Sequence, residues 1–535
     1  MLNKFYQSYN NYKAVINTDS KKLSILLKSI LVGLLVGTAV TLYRLALSGA
    51  EDLSFNAYAY LRDHMALLPL AIVLLAAAGA GVGFLVSKFK MIRGSGIPQV
   101  EGIIMGYFRD SWLGTLLCKF LGGAVSILAG LSLGREGPSI QLGACVAEGV
   151  GEKLASSRTE KKVLIASGAS AGLAAAFNAP LAGTMFAMEE IFKYFSPVIL
   201  MSTMVAAIVA DFVAKLVFGI HPIFNIEMKD SVPLSGYWIF LVLGVTLGAA
   251  GAFYNYILLL TQKAYKKLKW LDARLRPVIP FLLACMLGLT FPIALGSGHR
   301  IIDELSIKTG IASLLLILAV KFVFSMISFG SGAPGGIFFP LLVMGGTIGA
   351  VFGNIAVNCL GFEAHFFYNF AIVAMAGYFT AIVRAPITGI VLLIEMTGSF
   401  THLLALTFVS VIAYVVADLL KSAPIYESLL ENMICEIKKE ADESDEGKKI
   451  TVELVVHHGS AAENKCLKEI DLPKSCLLIA VRRMGKDSIP RGDTRIQAGD
   501  YLVFLTNLKE EARIRKILTD CTTFRNKTYT VSESV

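Results

Sequence analysis

The stretch AGLAAAFNAPLAGTMFAMEE, Ala171–Glu190, sets Ala-Pro in the middle of an apolar run, and AGYFTAIVRAPITGIVLLIEM, Ala376–Met396, does so again. Ala179-Pro180, Gly183 and Glu189 align with Ala385-Pro386, Gly389 and Glu395, an offset of 206 residues. An interior proline removes a backbone donor and clashes with the preceding turn, so each apolar run has to break at that point. Two more breaks recur. Gly94-Ser-Gly96 returns as Gly296-Ser-Gly298, an offset of 202, and Gly134-Arg-Glu-Gly-Pro138 is matched in its first Gly and its Pro by Gly330-Ser-Gly-Ala-Pro334, an offset of 196. The abundance of Gly and Ala in membrane helices accounts for one such match. Three matches in one order at nearly constant spacing indicate two homologous halves, about 20–215 and 235–430. The repeat by itself leaves their relative orientation open.

Composition places these halves in a bilayer. Of 535 residues, 55% are hydrophobic and only 17% charged, against about 25% in a soluble domain. Residues 431–535 hold 18 acidic and 18 basic side chains, leaving 22 acidic and 31 basic in the 430 residues before them, so the formal excess of +9 sits in the first part. Eleven apolar stretches lie between 26 and 420, and a simple span needs about 20 apolar residues. Disorder, a secreted disulfide scaffold and a nucleic-acid-binding protein are excluded: the basic excess is spread over loops rather than clustered. The eight cysteines form no CxxC or zinc-like group and read as buried reduced thiols. Lys4, Lys13, Lys21 and Lys22 precede the first long apolar stretch, so no cleavable signal peptide and a cytoplasmic N-terminus are expected.

Broken helices are tolerated at membrane depth only where the freed backbone is buried in protein or lines a polar cavity. A chain with many of them is a transporter or channel, and in repeat-built transporters the site lies where half-helices meet near the midplane. Here each break places Gly, Ser and Pro at a helix start. Helix N-termini present unpaired N–H groups and the positive end of the dipole, so several aimed at one point make an anion site without a full positive charge.

The tail changes character. An acidic linker, 431–449, precedes an α+β pattern over 450–525. Ile450–Val456, Cys476–Val481 and Tyr501–Leu505 read as strands, Leu508–Leu518 as a helix, and Asp487–Asp493 and Gln497–Asp500 as turns. Arg491-Gly-Asp493 is most simply a turn and His457-His458 a surface pair.

Gly94-Ser-Gly-Ile-Pro98, Gly134-Arg-Glu-Gly-Pro138 and Gly335-Gly-Ile-Phe-Phe-Pro340, with the later Tyr426, together resemble the signature of the CLC chloride channel and transporter family. The resemblance covers about residues 25–430. It implies an all-α polytopic membrane domain, 1–430, with re-entrant helices in an inverted repeat, followed by a small cytosolic α+β domain. It also implies that Ser95 and Tyr426 donate hydroxyl hydrogen bonds to a central chloride, and that Ile337 and Phe338 contribute backbone amides. Apart from the resemblance, Ser95 reads equally as a helix cap and Tyr426 as an interfacial anchor.

Glu136, a carboxylate at a helix start in apolar surroundings, is a functional candidate on physical grounds. By resemblance it is the gating glutamate that competes with chloride for the outer site and leaves when protonated, with Arg135 a candidate partner. Glu190 matches the internal proton-transfer position of the family's exchangers, a position its channels usually lack. In the repeat, Glu189 has the counterpart Glu395 and reads as structural, whereas Glu190 aligns with Met396 and Glu136 with Gly332. Lys119 and Lys321 are candidates for tuning the anion field or pairing with carboxylates. No ATP-binding, zinc-protease or nucleophile-elbow motif is present. The tail resembles the TrkA-C (RCK-C) domain over about 448–520, which implies dimerisation and, in some proteins, a small ligand such as cyclic di-AMP.

The expectation is therefore a proton-coupled chloride antiporter, not an enzyme, working as a homodimer in lipid. It would reside in a bacterial plasma membrane with both termini cytoplasmic, and need no metal or cofactor beyond that possible nucleotide. A passive chloride channel of the same architecture, a fluoride exporter (disfavoured by Ser95 with Tyr426) and a sensor acting through the tail are the rivals.

Overall fold

The computed structural model of the chain describes residues 2–522, apart from 109, 194, 225–229, 269–270, 443–448, 458, 471, 474, 484–485 and 508–509. The chain divides into two compact units, Met1–Leu430 and Glu431–Val535. In the first half of the membrane unit the helices are α1 Leu2–Asp63, α2 Leu68–Lys88, α3 Ile97–Met105, α4 Trp112–Leu128, α5 Glu136–Leu154, α6 Arg158–Phe177, α7 Pro180–Phe186 and α8 Pro197–Phe218. A single π-helical turn, Ala187–Phe192, follows α7. The second half repeats the pattern with α9 Tyr237–Lys267, α10 Val278–Thr290, α11 His299–Asp303, α12 Ile311–Gly330, α13 Phe338–Leu360, α14 Phe367–Val383, α15 Pro386–Thr397 and α16 Leu403–Leu419. Helix α17, Ile425–Asp442, begins in this unit. Among the described residues, eight helices are long and apolar enough to cross a membrane.

The breaks fall where the sequence demands them. Helices α6 and α14 end on Asn178 and Arg384, both at positive φ (52° and 70°), and the next helix starts at the proline of each Ala-Pro pair. Proline suits a first helical turn because its missing N–H would be unpaired there. The Gly-Ser-Gly segments adopt one shape twice, with φ of 64° and 97° at Gly94 and Gly96 and of 64° and 101° at Gly296 and Gly298, a conformation that favours glycine over any residue with a side chain.

The structure corrects the register of the middle repeat. Gly134 and Gly336 form an antiparallel bridge, exchanging N–H···O bonds of 2.6 and 2.7 Å, and the helices behind them start at Glu136 and Phe338. The offset is thus 202, and Gly134-Arg-Glu-Gly-Pro138 stands opposite Gly336-Ile-Phe-Phe-Pro340 rather than Gly330–Pro334. Gly332 is the counterpart of Gly130, both at φ 85°. Glu136 therefore pairs with Phe338, not with Gly332. The recurring Gly–Pro spacing misled because it occurs twice within ten residues.

The halves also clasp each other reciprocally. The Glu189 carboxylate accepts from the Ile387 and Thr388 amides at 3.1 and 2.7 Å, and the Glu395 carboxylate accepts from the Leu181 and Ala182 amides at 3.0 and 2.8 Å. Each glutamate caps the half-helix that its counterpart's half supplies. Such mutual contacts follow from a two-fold relation between repeats, and the unit is an inverted repeat.

Two sequence expectations need amendment here. Residues 431–442 continue helix α17 instead of forming a linker, because their Glu, Lys, Ala and Ile content favours helix. Cys359 and Cys435 are exposed thiols, whereas Cys145 and Cys285 are buried.

The second unit is a four-stranded antiparallel sheet in the order β1-β4-β2-β3, with β1 Lys449–Val455, β2 Cys476–Arg483, β3 Lys486–Ser488 and β4 Tyr501–Asn507, followed by α18 Glu511–Thr522. Part of the expected turn is strand: Asp487 and Ser488 pair with Arg482 and Val481. Val452, Leu478, Leu502, Phe504, Ile514 and Leu518 form its core. Arg483 and Asp500 form a bidentate pair with two 2.7 Å bonds, and the carboxylate holds the arginine even further above its already high pKa. His458 lies outside the described residues.

Candidate functional site

Three helix starts converge at the crossing of the repeats. Ser95 is buried and its Oγ accepts weakly from the Ile97 amide at 3.4 Å, leaving the hydroxyl proton and a lone pair for another partner. Its backbone packs on α5 so closely that a Cβ on Gly137 would lie 2.9 Å from the Ser95 carbonyl oxygen. Gly137 is in turn 3.1 Å, by its amide, from where a Cβ on Gly336 would stand. Ser95, the first turn of α5 and the first turn of α13 thus share one small volume.

Two buried lysines hold these loops. Lys119 Nζ donates to the Ile92 and Gly94 carbonyls at 2.9 and 2.6 Å, and Lys321 Nζ donates to the Ala294 and Gly296 carbonyls at 3.1 and 2.7 Å. They are repeat counterparts at the same offset of 202. Among the described contacts they pair with carbonyls rather than carboxylates. Binding the carbonyl side of each loop leaves the amide ends of the neighbouring helices as the positive face of the site.

Glu136, the first residue of α5, is fully buried. A Cβ on Gly134 would collide with Glu136 Oε2 and stand 3.2 Å from the Phe339 nitrogen. The carboxylate is therefore folded back over the bridge toward the first turn of α13, where neither oxygen makes a hydrogen bond among the described residues. Arg135 Nε is 3.8 Å from Oε1, a loose ion pair. A carboxylate set beside helix-start amides occupies a place suited to any small anion.

Ile337 and Phe338 stand where α13 begins, both buried, so the first amides of that helix have no intrahelical acceptor. The Phe338 ring packs on Phe177, Phe186 and Phe379 at centroid distances of 5.3, 6.3 and 4.6 Å, which fixes the helix start in an apolar cage. Tyr426 is fully buried on α17, and its hydroxyl has no hydrogen-bond partner among the described residues. Glu190 is buried on the π turn, with Oε1 unpartnered. Single π turns inside helices are frequent at functional sites.

The structure thus gathers Ser95, Glu136, Ile337 and Phe338 around the crossing. Three residues near Glu190 escaped the sequence reading. Lys193 Nζ lies 2.9 Å from Glu101 Oε1 and 2.5 Å from Glu427 Oε1. Glu101 carried a usable signal, an acid inside an apolar helix; Lys193 and Glu427 carried none. Among the described residues no His/Cys/Asp/Glu group is suited to a metal ion.

Residues 76–418 match the voltage gated chloride channel family model, and residues 451–519 match the TrkA-C domain model. The chain is 33% identical over 444 residues to the H(+)/Cl(-) exchange transporter ClcA of Klebsiella pneumoniae, covering 81% of this chain and 93% of that protein. The crystal structure of a slow cyanobacterial Cl-/H+ antiporter superposes with a TM-score of 0.71 at 30% identity, covering 77% of this chain and 98% of that one. A CLC-type fluoride/proton antiporter superposes with a TM-score of 0.63 at 25% identity, over 76% of this chain and 97% of that one. By its broken-helix inverted repeat, the anion-suited crossing of its helix starts and these matches, the chain belongs to the voltage-gated chloride channel (CLC) family and ends in a TrkA-C domain.

Proposed function

We propose that the protein exchanges chloride for protons across a bacterial plasma membrane, as a homodimer with one anion path per subunit and both termini cytoplasmic. The observation that carries this reading is the pair of buried carboxylates, Glu136 and Glu190, in one membrane unit with a buried, unsatisfied Tyr426 hydroxyl. A passive anion path needs no second buried acid, and a proton relay does. Chloride is held at the centre by the Ser95 and Tyr426 hydroxyls and further out by the amides of Ile337 and Phe338. These donors fit a weakly hydrated monovalent anion and bind without a fixed counter-charge, so release stays fast.

In the resting arrangement the Glu136 carboxylate takes the outer place of an anion. Protonation removes its charge, and with it the attraction to the α13 amides, so the side chain leaves and an anion takes its place. The proton then passes to the inner side through Glu190. A ligand-regulated role is proposed for the TrkA-C unit, with a nucleotide such as cyclic di-AMP as the ligand to test.

The decisive test is simultaneous recording of chloride and proton flux from purified protein in liposomes. Wild type is expected to move protons uphill against a chloride gradient. Glu136→Gln should keep chloride flux and lose proton movement; retained coupling would overturn the assignment. A reversal potential indifferent to the pH gradient in wild type would select a passive channel. A strong preference for fluoride over chloride would select the fluoride reading, which Ser95 with Tyr426 opposes.

A further inference from the structure

We propose that Lys193 is a positioning residue that clamps together the two helices carrying the inner hydroxyls, and that the clamp is shared with Glu190. This inference rests on the exchange reading and adds a residue to it.

Lys193 closes the π turn in the left-handed region, at φ 53°, a backbone state that is unfavourable for a side chain of this size. Its ammonium lies 2.9 Å from Glu101 Oε1 and 2.5 Å from Glu427 Oε1. Glu101 sits on α3, the short helix led by Ser95, and its side chain is only 1% exposed. Glu427 sits on α17 directly after Tyr426. One cation therefore ties the Ser95 helix to the Tyr426 helix, close in sequence to both hydroxyls.

The two arms differ in kind. The Glu427 arm is partly open to water, with 45% of its side chain exposed, and such pairs are individually weak. The Glu101 arm is buried, so removing the lysine would leave an uncompensated carboxylate in the interior. The hydrogen bond goes to Glu427, while the Glu101 contact is an ion pair without one, so α17 is held by direction and α3 by charge.

The carboxylates paired with this ammonium are Glu101 from α3 and Glu427 from α17, and Glu190 stands three residues before it on the same π turn, with Glu189 beside it. A third carboxylate thus shares the turn that carries the cation. When Glu190 carries a proton, Lys193 is left wholly to Glu101 and Glu427, and the two helices are held together. When Glu190 is ionised it draws on the same cation, and the hold on both helices weakens. Proton occupancy of Glu190 in this way sets how tightly Ser95 and Tyr426 close the inner end of the anion path, so that inward anion release follows departure of a proton outward, toward Glu136.

The test compares wild type, Lys193→Met, Lys193→Arg and Glu427→Gln, each purified, checked for monodispersity and reconstituted for paired chloride and proton flux. Lys193→Met is expected to lower the proton-to-chloride ratio at least threefold while chloride continues to flow. Glu427→Gln, a milder change at a part-exposed site, should shift the ratio in the same direction by about twofold, and Lys193→Arg should restore it to within a factor of two of wild type. A residue that only supports folding would lower both fluxes together and leave the ratio unmoved. An unchanged ratio in Lys193→Met and Glu427→Gln alike overturns the clamp. Should wild type itself move chloride without protons, the exchange reading falls, and the clamp is then read from chloride rate alone: a Lys193→Met rate within twofold of wild type would overturn it.

Discussion

Tyr426 brings a hydroxyl into the interior that no protein group among the described contacts satisfies, and burying such a group without a partner costs about 1–3 kcal/mol. A bound anion would repay that cost, since hydrogen bonds to charged groups contribute about 1.5–3 kcal/mol. Tyr426→Phe is therefore expected to weaken chloride binding roughly tenfold, measured by calorimetric titration of the detergent-solubilised protein, with little loss of thermal stability. Gly134 makes a second prediction at this scale. Any side chain there meets Glu136 Oε2, so Gly134→Ala should displace the carboxylate and raise proton-independent chloride leak in liposomes. A third concerns the soluble unit. Arg483→Leu leaves the Asp500 carboxylate, 1% exposed, without its bidentate partner; with 41% of the Arg483 side chain open to water, screening holds the cost to about 1 kcal/mol. A lower denaturant midpoint for that unit, with the membrane unit intact, is the expected result.

At the scale of elements, the half-helices matter more than the long spans. A half-helix ending at membrane depth exposes four amides that lipid cannot satisfy. The fold meets this in two ways. Helices α7 and α15 receive a carboxylate cap from the opposite half, Glu395 and Glu189 respectively. Helices α5 and α13 receive no such counterpart cap: α5 begins with Glu136 itself, and the amides of α13 face that carboxylate. Removal of a structural cap should thus differ from removal of the gating acid. Glu395→Ala is expected to lower stability by about 1–2 kcal/mol and reduce both fluxes in proportion, leaving the coupling ratio intact. Glu136→Gln changes the ratio itself. Thermal unfolding read beside flux separates the two.

Over the whole molecule, the two units carry different kinds of information. On the proposed reading the membrane unit holds the anion and both proton carboxylates, so deletion of 440–535 should leave basal exchange in place, and only ligand-dependent regulation should disappear. Much of this division was legible from charge density alone, because a bilayer excludes charge from nearly every exposed position and a soluble sheet does not. The Ala-Pro breaks, the Gly-Ser-Gly turns and the strands of the tail were legible for the same kind of reason. Proline and glycine act on their own backbone, and strand alternation acts within one short segment. The repeat register around Gly134 was not, because two Gly-to-Pro spacings compete within ten residues and only the Gly134–Gly336 bridge chooses between them.

The sequence by itself thus determined the membrane class, the two halves, the places where helices must break and the identity of Ser95, Glu136, Glu190 and Tyr426 as candidates. Tertiary structure alone decided that Lys119 and Lys321 hold carbonyls, that Glu189 and Glu395 cap each other's half, and that Lys193 stands between Glu101 and Glu427. The physical reason is range. Backbone propensity and hydropathy are properties of neighbouring residues, whereas a buried charge takes its meaning from whichever partner the fold brings within a few ångströms, often from the other half of the chain.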